Sequence, residues 1–397
     1  MAATPRLYFD DPLLFRFDAR VTSHATFADK PSLLLDRTAF YPEAGGQMAD
    51  VGTLSGASVI DVQVDEAGVV HHLVDGALPS VGSEVTGVID AKRRRLHMAL
   101  HTGQHMLSRA LFDVAGAETI SSRLGETQCT IDLDLDREKL DERLVGQAED
   151  LVNAVVDDDV VIRAYFPGPS ELAALPLRRR PKVATDVRVV EIGAFDVSPC
   201  GGTHCTRSAQ VGLVRITGLE GHKGGMRIVF SAGPRARREL AAHDDALRAL
   251  ARSLTCGTKD VGLALDKVRR DLEGTREALG KTRALLAESS ARSLIEAARR
   301  AGDLHIVAVF DDGGADMIRA VAVRLVAQEG VVAFLAAKTD DGLQILVDRA
   351  KESRFECGAF VKRVAASTGG RGGGRPDHAE GRLPAGVDWA ALVRAHR

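Results

Sequence analysis

The sequence predicts an α+β protein of several domains, and three observations lead to this prediction. The chain has 397 residues, 45% of them hydrophobic, which suffices for two or three domains with buried cores. Short β-prone runs, separated by glycine and proline, fill the first ninety residues. Helical periodicity begins near residue 91 and dominates again over 234–300. The expected domains are a β-rich subdomain at 1–90, an α/β domain at 91–233, a helical hairpin or coiled coil at 234–301 and a small α/β domain at 302–397.

Strands are expected in the β-rich subdomain and again after residue 128. The β-prone runs lie at 32–35, 57–62, 69–74, 129–133, 160–163, 188–192, 212–216 and 226–230. Glycines and prolines lie between the runs of the first ninety residues, as in a compact β-rich domain.

Helical spacing marks the segment 91–114. Leucines recur there at helical intervals, and Gly103 is its single glycine. Asp90 directly precedes the segment and is suited to be its N-cap. A second helix is expected from Arg137 to about Val156.

In the region 234–300, mostly apolar residues are separated alternately by three and four positions. We call this row the seam, and it consists of Leu265, Val268, Leu272, Thr275, Leu279, Thr282 and Leu286. This spacing predicts a helical hairpin or coiled coil, with a break at 255–258. After Gly302 the pattern changes to strand, helix and strand, which indicates a small α/β domain carrying a glycine-rich turn at 369–376.

Composition and charge limit the functional classes. The net charge of -3 gives no global basic signature, so a nucleic-acid partner would have to bind local patches. Five cysteines in a chain of this length argue against a disulfide framework and for a reducing compartment. Neither a signal peptide nor a membrane-length apolar stretch is found, so we expect a soluble cytoplasmic protein without membrane contact.

A candidate metal centre is divided between two motifs. His101 and His105 are four positions apart on the first helix, so their rings share a face. Cys200 and His204 lie in a Cys-Gly-Gly-Thr-His turn whose glycines let the backbone wrap an ion. Three imidazole nitrogens and one thiolate favour zinc over calcium or magnesium. Cys205 is a competing ligand of lower rank, because its neighbour His204 would point it elsewhere.

The spacing leaves the role of the ion open. A closed set of four ligands is typical of a structural zinc, whereas a catalytic set keeps one position for water or substrate. A metalloprotease of the HExxH type is disfavoured, because Thr102 stands where that motif has its glutamate.

Further motifs accompany the candidate metal ligands. They are FYPEAGGQ at 40–47 with DVG at 50–52, and SRLGE at 122–126 leading to TID at 130–132. Together with the two ligand motifs they resemble the editing domain of alanyl-tRNA synthetases and of its freestanding relatives, the AlaX proteins. This resemblance covers residues 1 to about 233. The tract at 369–376 resembles the DHH-associated domain, so the whole arrangement resembles the long AlaX form.

The resemblance implies a zinc-dependent deacylase that hydrolyses mischarged tRNA(Ala) in trans. Ser-tRNA(Ala) is the first expected substrate and Gly-tRNA(Ala) the second, because an alanine-sized pocket rejects such small side chains poorly. The chain begins almost at the editing motifs, so we expect no aminoacylation core. A homodimer through the C-terminal domain is implied by the resemblance alone.

Residue roles are expected on the same basis. The zinc ligands would be His101, His105, Cys200 and His204. The candidate catalytic residues are Gln47 and Glu43. The candidate substrate contacts are Gly45, Gly46, Thr102, Arg227, Gly373 and Arg375. Further candidate phosphate contacts are Arg93, Arg94, Arg215 and Lys223.

Two other functions stay open at this point. The first is a tRNA-binding protein that kept the fold and lost the activity. The second is a zinc hydrolase that acts on a small aminoacyl ester, although such a substrate would not need the C-terminal domain.

Overall fold

The computed structural model describes residues 3–136, 139–181, 183, 185–222 and 224–396. The fold is α+β, as predicted, and it divides into two compact units, Met1–Arg248 and Ala249–Arg397. We call these the first and the second unit. In the part of the chain that is described, no helix combines the length and the apolar character needed to cross a lipid bilayer. The finer division into four domains stays a prediction.

Six strands close into a barrel at the start of the first unit. They are β1 (Arg16–Phe27), β2 (Lys30–Leu35), β3 (Gly52–Leu54), β4 (Ala57–Val64), β5 (Val70–Asp75) and β6 (Glu84–Ile89). Their order around the barrel is β1-β2-β5-β4-β3-β6. Side chains alternate between interior and solvent along β1, where Phe17, Ala19 and Val21 are buried. The three β-prone runs predicted in this region each overlap a barrel strand, and the run at 69–74 begins one residue before β5.

A long helix, α1 (Ala91–Ala115), follows the barrel and carries the predicted histidines. The Asp90 carboxylate accepts from the backbone N–H of Lys92 at 2.9 Å, which confirms the predicted N-cap. The helix ends at Gly116, whose left-handed conformation suits a helix terminus. Gly103 lies where the helix passes Ala232, since an added Cβ would be 3.0 Å from that methyl group.

Two sheets and three more helices follow. They consist of β7 (Glu118–Leu124), β8 (Cys129–Asp134), α2 (Glu142–Asp157), β9 (Ile162–Tyr165), α3 (Pro169–Ala174), β10 (Val189–Ile192), β11 (Asp196–Pro199), β12 (Val214–His222), β13 (Gly225–Ala232) and α4 (Gly233–Ser253). One sheet has the order β12-β13-β8-β7 and the other β11-β10-β9. Apolar side chains of α1, α2, β8 and β13 form the core between them.

Helix α2 begins later than the sequence predicts. Its N-cap is Asp141, whose carboxylate accepts from the backbone N–H of Leu144 at 2.8 Å. The predicted start, Arg137, lies outside the described residues.

The second unit is built on a five-stranded sheet. Its elements are α5 (Val261–Ala301), β14 (His305–Phe310), α6 (Gly314–Leu325), β15 (Val332–Thr339), β16 (Gly342–Arg349), α7 (Cys357–Thr368), β17 (Arg371–Gly374), β18 (His378–Pro384) and α8 (Trp389–His396). The strand order is β14-β15-β16-β18-β17. Strands β14 and β15 are parallel, as the predicted strand-helix-strand pattern requires, and the other pairs are antiparallel.

The glycine-rich tract is an edge strand and not the turn that the sequence analysis expected. Gly372 and Gly374 pair with Gly381 and Ala379 of β18. A Cβ at Gly372 would lie 2.7 Å from Cγ1 of Val361 on α7. The glycines therefore allow a helix to pack directly on the strand, which a composition typical of turns does not reveal.

The predicted break between two helices at 255–258 is confirmed, because α4 and α5 are separate. The seam of α5 is exposed in the second unit. Its leucines and Val268 are 42–56% exposed. The coiled-coil pairing therefore stays a prediction.

Candidate metal centre

Four side chains from α1 and from the turn after β11 converge in the first unit. The ligand atoms of His101, His105, Cys200 and His204 all lie within 4.8 Å of one another. Nε2 of His101 is 3.5 Å and Nε2 of His204 is 3.3 Å from the Cys200 sulfur. Zinc bonds of about 2.0–2.1 Å to nitrogen and about 2.3 Å to sulfur place these atoms about 3.6 Å apart in a tetrahedron. Nε2 of His105 is buried without a hydrogen-bond partner among the described residues, and a metal ion would satisfy it. The cluster thus fits a zinc ion.

Two of the four side chains, Cys200 and His204, have shifted pKa values that suit metal binding. Burial alone would raise the pKa of the Cys200 thiol, but the imidazoles of His101, His204 and His105 lower this pKa well below its usual range. The pKa of His204 falls to about 3, mainly through burial and then through the charge of His101. A thiolate and a neutral imidazole are the forms that coordinate metals.

Gln47 fixes the tautomer of His101. The backbone N–H of Thr203 donates to Gln47 Oε1 at 3.2 Å, and a backbone N–H can act only as a donor. The same oxygen lies 2.7 Å from His101 Nδ1, so this nitrogen carries the proton. The lone pair is then on Nε2, which faces the other ligands.

Thr102 supports His204 in a similar way. Its hydroxyl oxygen accepts from the backbone N–H of Cys205 at 3.0 Å and lies 3.2 Å from His204 Nδ1. Thr102 is fully buried. Burial raises the pKa of the Cys205 thiol to about 12, so this sulfur stays protonated, and it lies outside the four-ligand cluster. The lower rank given to Cys205 agrees with this arrangement.

Asp196 lies behind the His105 ring, and it was not among the predicted site residues. Its carboxylate is 3.7 Å from His105 Nδ1 and accepts from Arg178 Nε at 2.7 Å. Burial alone would raise the pKa of Asp196, but His105 and Arg178 lower it to about 2. A carboxylate behind a metal-binding histidine orients its ring. Its position four residues before Cys200 is the feature of the sequence that could have indicated its role at the site.

The turn that carries Cys200 is held tightly against His101. A Cβ at Gly202 would lie 2.2 Å from Cε1 of that ring, whereas a Cβ at Gly201 would meet nothing within 4 Å. The buried guanidinium of Arg188 donates to the carbonyl of Cys200 at 3.1 Å and to that of Gly202 at 2.8 Å. Arg188 was not among the predicted site residues, because nothing in its sequence neighbourhood marks it.

A cavity of about 910 Å³ opens beside the cluster. His101 and Cys200 form part of its wall, and Gly45 and Ser122 form another part. Aromatic rings line it as well. The described lining also contains one aspartate, Asp186, and four arginines, which are Arg6, Arg179, Arg180 and Arg188.

The other predicted catalytic and substrate residues are distributed unevenly around this cavity. Gly45 lines it, and Gly46 lies behind, where an added Cβ would be 2.5 Å from the carbonyl oxygen of Ser122. Gln47 is fully buried behind His101 and lines no part of the cavity. Glu43 is exposed and lies outside the lining. Contacts of Gln47 and Glu43 with substrate therefore stay predictions that the geometry does not favour.

The remaining predicted contacts are not part of the described lining of the cavity. Arg227 binds Asp132 through two hydrogen bonds of 2.6 and 3.0 Å. Gly373 and Arg375 belong to the second unit. All three stay predictions.

One of the predicted phosphate contacts, Arg94, needs a correction, and the other three stay predictions. Arg94 is fully buried, and its Nε lies 2.9 Å from a carboxylate oxygen of Asp50, so it cannot reach a phosphate. Arg215 pairs with Glu149 at 3.0 Å. Arg93 donates from Nε to the carbonyl of Ala49. Lys223 lies outside the described residues.

Family models match three parts of the chain. Residues 13–93, which include the barrel strands, match the model described as tRNA synthetases class II (A). Residues 187–229 match the threonyl and alanyl tRNA synthetase second additional domain, and they include Cys200 and His204. Residues 303–395 match the DHHA1 domain.

Individual relatives extend this similarity over almost the whole chain. The alanyl-tRNA editing protein AlaX-L of Pyrococcus horikoshii is 27% identical over 96% of this chain and 95% of its own length. The alanine–tRNA ligase of Archaeoglobus fulgidus is 29% identical over 98% of this chain but 43% of its own length, so the chain spans less than half of that ligase. A solved structure, the C-Ala domain from Aquifex aeolicus alanyl-tRNA synthetase, matches 23% of this chain and 85% of that chain at 23% identity, with a TM-score of 0.22. The chain is therefore similar, over nearly its whole length, to an alanyl-tRNA editing protein and to part of an alanine–tRNA ligase.

Proposed function

We propose that this protein hydrolyses the ester bond of mischarged tRNA(Ala), with Ser-tRNA(Ala) as the preferred substrate and Gly-tRNA(Ala) as the second. The observation that carries the proposal is the convergence of His101, His105, Cys200 and His204 at the wall of a large cavity. Similarity to an alanyl-tRNA editing protein over nearly the full length supports the choice of substrate.

Zinc is the metal that we propose for the cluster, because three imidazoles and a thiolate suit it best. When bound, zinc would supply a Lewis acid that can activate a water or hold the 3′ end of the tRNA. The protein keeps the ligands in the required form. Gln47 accepts the Nδ1 proton of His101, which leaves Nε2 of this ring available, and the Thr102 hydroxyl lies 3.2 Å from Nδ1 of His204.

The cavity wall next to the ligands leaves room for the ester. Gly45, Gly201 and Gly202 line it without side chains, so the cavity is wider there than larger residues would allow. Aromatic rings such as Tyr41 cover other parts of the wall and limit access of bulk water. We infer that a small aminoacyl group lies at the glycine-lined end and that the terminal adenosine fills the wider part.

The two alternative functions receive less support. A small aminoacyl ester has no phosphate, yet four arginines and one aspartate line the described cavity. An inactive tRNA-binding protein would not need the ligand set or the residues that orient it, and these are complete in this chain.

Deacylation of defined substrates tests the proposal. The protein is incubated with Ser-tRNA(Ala), Gly-tRNA(Ala) and Ala-tRNA(Ala), and loss of the amino acid is followed over time. We expect the serine ester to be cleaved fastest and the alanine ester to be largely spared. The C200A variant should lose both zinc and activity, whereas C256A, which removes a cysteine outside the cluster, should keep both. Stability of all three esters would refute the proposed activity.

The cytoplasmic location, the homodimer and the tRNA contacts of Gly373 and Arg375 stay proposals that rest on the family resemblance. The Arg375 side chain is 77% exposed, and its ion pair with Asp377, at 3.4 Å, also faces solvent, so a phosphate can reach the guanidinium.

A further inference from the structure

The second unit contains a cavity of its own, with a volume of about 270 Å³. It lies where the last turns of α5 meet the residues that precede β14 and β15. Its lining consists of Ile295, Ala298, Arg299, Leu304, Ile306, Gln328, Glu329 and Val331. All of these residues belong to the second unit, so the cavity shares none of them with the candidate metal centre. The proposed hydrolysis does not use this cavity.

The inner wall of this small cavity is aliphatic. Ile306 and Val331 are buried in the core that α5 and α6 form with the sheet. Ile295 and Ala298 are half-buried and pack against the same core, and the exposed Leu304 completes the wall. No aromatic ring is part of the described lining. The wall therefore suits a branched aliphatic group better than a base or another flat ring.

Two side chains of opposite charge also line the cavity. Arg299 and Glu329 are both exposed. Nη2 of Arg299 donates to Oε1 of Gln328 at 2.9 Å, which holds the guanidinium and leaves its other N–H groups without a partner among the described residues. The Glu329 carboxylate has no hydrogen bond or ion pair with any described residue. A guanidinium suits a ligand's carboxylate, and a carboxylate suits a ligand's ammonium group.

The turn between α6 and β15 joins these charges to the aliphatic wall. Gly330 has a φ of +77°, and an added Cβ there would lie 3.1 Å from Cδ1 of Leu304. The backbone N–H of Val332 donates to the carbonyl of Leu304 at 3.0 Å. The residues before the two parallel strands are therefore held side by side, and Gln328 and Glu329 stay at the edge of the cavity. A site that is already formed loses little entropy when it binds a ligand.

The volume of the cavity limits its ligand to a small molecule. At about 30 Å³ for each water, 270 Å³ corresponds to about nine groups of that size, which is close to the size of leucine. We propose that this cavity binds a free branched-chain α-amino acid. The ligand's carboxylate binds Arg299, its ammonium group binds Glu329, and its side chain lies against Ile306 and Val331. The sequence does not mark this site, because its residues come from three separate segments.

Isothermal titration calorimetry of the full chain with L-leucine tests the proposal. We expect a dissociation constant of about 0.1–1 mM, which is ordinary for so small a ligand. 4-Methylpentanoate lacks the ammonium group and 3-methylbutylamine lacks the carboxylate, so each should bind about three- to tenfold more weakly. Glycine lacks the aliphatic side chain and should show no measurable binding. Equal affinity for leucine and glycine would contradict a role for the aliphatic wall.

Two charge-neutralising variants test the assigned contacts. E329Q should weaken leucine binding about three- to tenfold and leave the affinity for 4-methylpentanoate unchanged, because that probe has no ammonium group. R299Q should weaken the binding of both probes. R300Q is the matched control, since Arg300 is the exposed neighbour of Arg299 on α5 and is not part of the lining. It should bind leucine like the wild type. Wild-type affinity in both E329Q and R299Q would overturn the assignment.

Two further variants locate the binding within the molecule. A298L places a larger side chain in the wall and should abolish leucine binding without a change of charge. C200A removes a candidate metal ligand of the first unit and should bind leucine like the wild type, so this site is tested separately from the proposed hydrolysis. Absence of leucine binding to the wild type, or normal binding to A298L, would refute the proposed amino-acid site.

Discussion

At the residue scale, the candidate site depends on how closely the Cys200 turn approaches α1. The two glycines of this turn are not equivalent, although the sequence shows them side by side. Gly202 faces the His101 ring, and Gly201 faces open space. Arg188 and Gln47 then hold the turn and the ring in one arrangement. The geometry of the ligands is thus set by contacts that no ligand motif describes.

Replacing the second glycine should therefore damage the site. In G202A the new methyl group would lie 2.2 Å from the His101 ring, so the ring must move away from the other ligands. We expect zinc affinity to fall by about 10-fold or more, with a matching loss of deacylation. Zinc competition with a chromogenic chelator measures the affinity. G201A is the matched control and should bind zinc like the wild type; equal behaviour of the two variants would contradict this account.

At the same scale, a buried histidine of the barrel should make stability depend on pH. His72 donates from Nδ1 to the carbonyl of Leu33, and its Nε2 lies 2.8 Å from the Thr38 hydroxyl. Burial lowers the pKa of His72 to about 4, below its ordinary value of 6.5. Between these values the unfolded chain binds the proton and the folded one does not, so stability is full above pH 6.5 and falls as the pH falls.

Because of this histidine, we expect the free energy of unfolding to fall by about 2–3 kcal/mol between pH 7.5 and pH 4.5. Urea unfolding of the wild type and of H72N at both pH values measures the contribution as the difference between their pH-dependent losses. H24Q removes an exposed histidine of β1 and should keep the wild-type pH dependence. If H72N shows the same loss as the wild type, His72 is not the group responsible.

At the scale of elements, β17 shows how a glycine-rich segment can be a strand. Its glycines allow α7 and β18 to approach closely, and the strand lies at the sheet edge. A G372A change would place a methyl group 2.7 Å from Val361 and 2.8 Å from the Cα of Gly381. We expect it to destabilise the second unit by about 1–3 kcal/mol through overpacking.

Denaturant unfolding of the second unit, followed by the fluorescence of Trp389, measures this loss of stability. Trp389 is the single tryptophan of the chain and is buried in the second unit. G373A is the control, because an added Cβ there meets its nearest neighbour at an ordinary 3.5 Å. If G373A loses as much stability as G372A, the effect of these substitutions comes from backbone entropy and not from packing.

At the scale of the whole molecule, the proposed metal belongs to the first unit alone. All four ligands lie within Met1–Arg248. A ligand that binds only the folded state stabilises it by an amount that grows with the logarithm of the ratio of its free concentration to its Kd. Removing the metal should therefore weaken the first unit and leave the second unit unchanged.

Calorimetry with and without a chelator tests this difference. We expect the transition of the first unit to move down by about 10 °C, which corresponds to about 4 kcal/mol for a unit of this size. The transition followed by Trp389 should stay in place. In the C200A variant, the chelator should have little further effect. A shift of both transitions by the same amount would contradict a metal site confined to one unit.

Much of the secondary structure and of the candidate metal centre was determined by the sequence alone. The helix at 91–114, its cap Asp90, the strand runs and the strand-helix-strand order of the second unit follow from local spacing, because helix and strand periods are properties of neighbouring residues. The two halves of the metal site were also predicted, since side-chain chemistry restricts which residues can share an ion. Tertiary structure alone decided the rest. Three features depend on contacts between residues far apart in the chain, and local sequence carries no record of such contacts. They are which glycine approaches His101, which two of the three adjacent arginines at 178–180 line the cavity, and why Gln47 lies behind a ligand.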